Sequence, residues 1–136
     1  MKAYGLVGLV ALTALAACGK EQPLEFQLAI EPGPSDPRLS PHSQEFTVGV
    51  EFGCNDDDAT IDGFDVDYGA SHVIVTFRGD VSYEAGDCAD FQSREVTLDE
   101  PLGDRQLCDG STDPATLVWP RPAGVPGDEP LRKRCQ

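Results

Sequence analysis

Apolar residues fall at every second position in Leu24, Phe26, Leu28 and Ile30, with Glu25, Gln27 and Ala29 between them. That is the pattern of a strand with one buried face. The alternation is cleaner in Phe46, Val48, Val50 and Phe52, separated by Thr47, Gly49 and Glu51. Phe64-Asp65-Val66-Asp67-Tyr68 repeats it, and a β-rich run from Val73 to Phe77 follows the turn at Gly69. Weaker strand signals lie at Val81 to Tyr83, Glu95 to Leu98, Arg105 to Cys108 and Thr116 to Trp119. Pro32, Pro34, Pro37 and Pro41 interrupt both helix and sheet ladders between residues 31 and 45, which predicts a crossing loop.

Beyond the first residues, no window of a dozen keeps apolar positions three and four apart, so little helix is expected. Seven or eight short strands punctuated by Gly and Pro predict an all-β fold: a small antiparallel β-sandwich, immunoglobulin-like or a partly open barrel. The immunoglobulin pattern is incomplete, because no Trp lies between Cys54 and Cys88 where that family's core Trp belongs.

The N-terminus follows a different rule. Met1 and Lys2 precede an uncharged apolar and small-residue run from Ala3 to Ala17, which ends at Cys18. This is the layout of a cleaved export signal, and the run is shorter than the roughly 18 to 20 residues of a membrane-spanning helix. Leu15-Ala16-Ala17-Cys18 resembles the lipobox of bacterial lipoproteins. The resemblance implies cleavage between Ala17 and Cys18, a diacylglycerol on the Cys18 sulfur, and a position on the outer face of the cytoplasmic membrane or on an outer membrane. Each buried CH2 of an acyl chain contributes about 0.8 kcal/mol, and two or more chains anchor stably. The competing reading is an ordinary secretory signal with an incidental cysteine.

The expected organisation is a signal peptide at 1–17, a tether at 18–23, a β domain at 24–119 and a Pro/Gly-rich tail at 120–136. The 119 residues left by cleavage suffice for one domain with a core of its own. Residues 95–110, beginning Glu95-Val96-Thr97-Leu98-Asp99-Glu100-Pro101-Leu102-Gly103, are similar to segments of uncharacterised actinobacterial lipoproteins, a likeness that implies no activity.

Four cysteines remain: Cys54, Cys88, Cys108 and Cys135. An even number in an exported domain reads as two disulfides. Three pairings exist. Cys54 with Cys88 and Cys108 with Cys135 is favoured, because the second bridge would fasten a tail rich in Pro120, Pro122, Pro126 and Pro130. Wide spacing without a Cys-x-x-Cys pair argues against zinc.

The formal net charge of −14 disfavours nucleic acid as a partner. Between Glu45 and Asp113, 18 acidic residues face three basic ones, Arg78, Arg94 and Arg105, while Arg132-Lys133-Arg134 closes the chain. Asp56, Asp58 and Asp62 in the Asn55 to Gly63 stretch are the candidate calcium ligands. They depart from the EF-hand order, since Gly69 occupies the place of the bidentate Glu, and a solvated acidic turn is the competing account. No other cofactor is expected.

Catalytic machinery is sparse. His42 and His72 are the only histidines, and no Gly-x-Ser-x-Gly elbow is present. His72, alternating with Val73, is expected to face solvent, and Trp119 to close one end of the core. Three functions compete: a non-enzymatic binding or scaffolding domain in the cell envelope; a carboxylate- or calcium-dependent hydrolase; and an inhibitor or immunity-type protein for a basic partner. A convergent set of perturbed carboxylates in a cleft would favour the second, and salt-sensitive binding to a cationic protein the third.

Overall fold

The computed structural model describes residues 21–28, 39–53, 59–81, 89–121, 124 and 133–136. These form eight strands and no helix: β1 Gln22–Leu24, β2 Phe26–Leu28, β3 Glu45–Gly53, β4 Thr60–Tyr68, β5 His72–Asp80, β6 Ala89–Thr97, β7 Gln106–Asp109 and β8 Thr116–Trp119. The all-β expectation therefore holds. Ala17, Cys18, Cys54, Cys88, Asp56 and Asp58 lie outside the described residues.

β5 is the spine of a five-stranded sheet. β4 covers one of its edges over nearly its whole length, from Thr60 opposite Asp80 to Tyr68 opposite Val73. The other edge is shared end to end: β1 pairs antiparallel at Phe77 to Gly79, and β7 pairs parallel at His72 to Val75. β8 then extends β7. The second sheet has three antiparallel strands in the order β2, β3, β6. Two expectations are corrected here. The β5–β7 pair is parallel, so the larger sheet is mixed rather than antiparallel; the chain from β5 to β7 makes a long excursion through β6, which allows a parallel return. The single strand expected over Leu24 to Ile30 is two strands, broken at Glu25, where the chain leaves the larger sheet and enters the smaller one.

The break costs no burial, because Leu24 and Phe26 remain on the core side of their respective sheets at 0 % and 6 % exposure. Val48 and Val50 of β3, Val73, Val75 and Phe77 of β5, Val96, Leu98, Leu102 and Leu107 complete one buried cluster fed by both sheets. The Phe77 ring packs edge-on to Phe26 and tilted against Phe64, both with centroids 5.4 Å away. Beside it, Gly79 is hemmed in by β1 and β4: a Cβ there would strike the Thr60 carbonyl oxygen and come within 2.8 Å of Leu24 Cδ1. A side chain at that point would force the two flanking strands apart.

One weaker expectation is adjusted. Val81 is buried and lies outside the described strands, while the rest of the strand expected at Val81 to Tyr83 falls outside the described residues. The Pro/Gly-rich tail pairs after its last proline, Pro130: Leu117 N–H donates to Lys133 O at 2.7 Å, Cys135 N–H donates to Ala115 O at 2.9 Å, and Thr116 bridges Arg134. The Cys108–Cys135 disulfide, with Cα atoms 6.2 Å apart, fastens it as the sequence predicts.

Candidate functional site

The most perturbed group in the described structure is Asp109, at the end of β7, only 5 % exposed. Its carboxylate ties two segments together. Phe26 N–H donates to Oδ2 at 3.1 Å, satisfying the donor released where β1 gives way to β2, and Ser111 N–H donates to Oδ1 at 2.8 Å, closing the turn after β7. Burial raises the pKa to about 6 from 3.8, against the two backbone donors and a smaller contribution from the Ser111 hydroxyl; the nearby Glu25 charge raises it further. That hydroxyl stays short of a formed hydrogen bond. Glu51 of β3 is also raised, by burial first and then by Glu25 and Asp109. The charges of Glu25 and Asp109 are thus felt at Glu51 near the crossover between sheets, without the three side chains converging on one point.

Nothing in the sequence marks Asp109 out from the other carboxylates. The Cys108-Asp109-Gly110 stretch reads as a strand followed by an Asp-Gly turn, and the turn is present, but nothing local says that the Asp side chain points inward. Its chemistry is structural. Both oxygens of Asp109 hold backbone N–H groups of separate segments in a buried site, where a general acid or base would need access to substrate. Among the described residues, no three metal-ligating side chains come together.

Ionised Asp109 is disfavoured in the folded protein, so its protonation stabilises the fold. The gain begins as pH falls through about 6 and is complete below the unfolded-state value near 4. A shift of this size corresponds to roughly 2 to 3 kcal/mol. The Tm of Asp109→Asn relative to the wild type is therefore expected to fall between pH 7.5 and pH 5, as the wild type alone gains; a difference independent of pH would contradict the assignment.

A second polar cluster organises the opposite end. Arg105 donates from Nε to Leu102 O at 2.9 Å, from Nη2 to Pro101 O at 2.7 Å and from Nη1 to Glu100 Oε1 at 2.6 Å, and its guanidinium lies 5.7 Å from the Tyr68 ring centroid. Tyr68 Oη accepts from Asp99 N–H at 2.7 Å. Loops are cross-tied here, with Leu102 N–H donating to Ser43 O and Gly103 N–H to Pro41 O, each at 2.8 Å. The loop between β6 and β7 is therefore braced by Arg105, which satisfies two carbonyls and a carboxylate.

The remaining candidates are dispersed. Asp62 is exposed on β4 at a register irregularity between Ile61 and Gly63. His72 is half-buried rather than turned fully to solvent; its Nδ1 lies 3.3 Å from Ser71 Oγ and its ring beside Gly69. His42 is exposed, its backbone N–H donating to Ser40 Oγ at 3.2 Å. Trp119 packs against the core cluster. No family model, curated protein or solved structure matches the chain.

Proposed function

We propose that this chain is an exported, lipid-anchored β domain that binds or scaffolds a component of the cell envelope and catalyses no reaction. The observation that carries the reading is the lipobox Leu15-Ala16-Ala17-Cys18 with its preceding apolar run. The Cys108–Cys135 disulfide supports it, since such bonds persist in oxidising compartments outside the cytoplasm. The finer architecture is a small β-sandwich or partly open barrel with a second bridge between Cys54 and Cys88. In its favour, Gly53 and Ala89 are opposed Cα partners at the end of the β3–β6 ladder, and the two cysteines are the next residues on either side.

The non-enzymatic part rests on how the perturbed carboxylates are used, since the buried Asp109 is engaged by backbone donors on both oxygens. The partner is of unknown identity and is not nucleic acid, given the charge of −14. Fractionation of the native host tests the anchor. Wild-type protein is expected in the membrane fraction with its N-terminus at an acylated Cys18, and Cys18→Ser in the soluble fraction. A variant that stays with the membrane would overturn the reading.

A further inference from the structure

We propose that the free edge of β6 pairs antiparallel with β6 of a second copy, about a two-fold axis through Gln92, making a continuous sheet across a homodimer. Three independent observations carry this.

First, β6 spans nine residues and pairs only with β3 among the described residues, so one row of its backbone groups has no described strand beside it. The row is identified by its hydrogen bonds. Glu51 N–H, opposite Phe91, turns the other way to Glu25 O at 2.8 Å, so Glu51 and Phe91 do not exchange ladder bonds. Phe91 and Ser93 therefore present N–H and C=O outward.

Second, those outward groups are met by the strand's own side chains. Phe91 N–H donates to Asp90 Oδ1 at 2.9 Å, and Arg94 Nη1 donates to Ser93 O at 2.9 Å. Neither Asp90 nor Arg94 has an ion-pair partner among the described residues. About an axis through Gln92, Phe91 of one copy faces Ser93 of the other, so the N–H capped by Asp90 meets the C=O capped by Arg94. The displaced caps are then brought opposite each other, Asp90 to Arg94 twice over. They fall at a position that does not exchange ladder bonds, where side chains approach most closely. Each local cap is exchanged for a backbone bond and an opposite-charge pair.

Third, Phe91, on the outer face, is 44 % exposed and lies over Gly49, with the ring within 3.5 Å of where a Cβ would sit. Across the axis it comes diagonal to its counterpart, within reach of an aromatic contact.

The comparison with β4 sharpens the choice. β4 is also nine residues long with one unpaired edge, but self-pairing about Val66 would oppose Asp65 to Asp67, and Arg78 already holds Asp65 at 2.8 Å. Like charges directly opposite disfavour that edge, whereas the β6 edge is self-complementary, as an isologous interface requires. The two-fold axis stands perpendicular to the sheet, so two lipid anchors reach one bilayer when the strands lie parallel to it.

The test is the mass of the detergent-extracted, anchored protein by light scattering and sedimentation. Twice the protomer mass is expected for the wild type, and the protomer mass for Arg94→Glu and for Asp90→Arg alone. The double variant Asp90→Arg with Arg94→Glu is expected to recover the doubled mass, which a merely misfolded strand would not do. Ser93→Pro, which removes only an outward N–H at an edge, is also expected at the protomer mass. A monomeric wild type overturns the proposal, as does a dimer indifferent to both single reversals, or a folded double variant that stays monomeric. Association with a different protein in place of a second copy counts among the first of these.

Discussion

Phe77→Ala is expected to cost about 3 to 5 kcal/mol and to leave little folded protein at 37 °C. Phe77 is 1 % exposed and is the side chain through which three strands meet, touching Phe26 of β2 in the smaller sheet and Phe64 of β4 in its own. Its removal opens a cavity whose walls cannot close, because Gly79, two residues on, already sits at backbone contact with Thr60 and close to Leu24. Much of this cost belongs to the cavity rather than to the lost transfer energy of the ring. For a chain of this size, such a loss is a large fraction of total stability. Urea denaturation measures it. A loss below about 1 kcal/mol, the range of a conservative core exchange, would mean that the two sheets do not share this core.

Cys108→Ser with Cys135→Ser is expected to cost about 3 to 4 kcal/mol, the chain-entropy value for a loop of this length, whose closure spans 27 residues. The effect should be regional. The bridge holds the Lys133 to Cys135 segment on β8, and Cys108 is adjacent to Asp109, which in turn holds Phe26. Releasing the tail uncovers the outer edge of β8 and weakens the packing of Leu117 and Val118 before it reaches β3 and β6. Hydrogen exchange of the reduced protein is expected to lose protection first at Leu117 and Cys135, with the β3–β6 ladder retained longest. Uniform loss of protection would contradict a regional role.

The sequence carries the strands and conceals the pairings. The alternation of Phe46, Val48, Val50 and Phe52 is legible because the two-residue side-chain period equals the pleat, and β3 forms where it predicts. That same period hides the break at Glu25: Leu24 and Phe26 face the core whether they belong to one strand or to two in different sheets. The parallel β5–β7 pair is set by which edge of β5 is left open once β4 and β1 have docked, a long-range outcome without a local signature. The Cys108–Cys135 bridge is readable, because an even number of cysteines and a tail of prolines leave few other ways to fasten the chain.

The polar groups inside the fold and along the β6 edge are the least legible. Asp109 differs from the other carboxylates by burial and by the two N–H groups aimed at it, and both depend on where β2 crosses. The caps on β6 are equally silent in the sequence, since Asp90 and Arg94 read as ordinary surface charge until the edge beside them, unpaired among the described residues, is known. The acidic stretch that first attracts attention as a cation site contributes one described member, Asp62, which stands exposed on an edge strand. Charged residues at such an edge are a known defence against unwanted strand pairing.

The role proposed for Cys18 is tested most directly by the intact mass of the mature protein extracted from host membranes. The predicted result is a chain that begins at Cys18 with residues 1–17 removed, carries the added mass of a diacylglycerol, and holds its four other cysteines as two disulfides. A mature chain that retains residues 1–17, or that begins elsewhere with an unmodified Cys18, would contradict it.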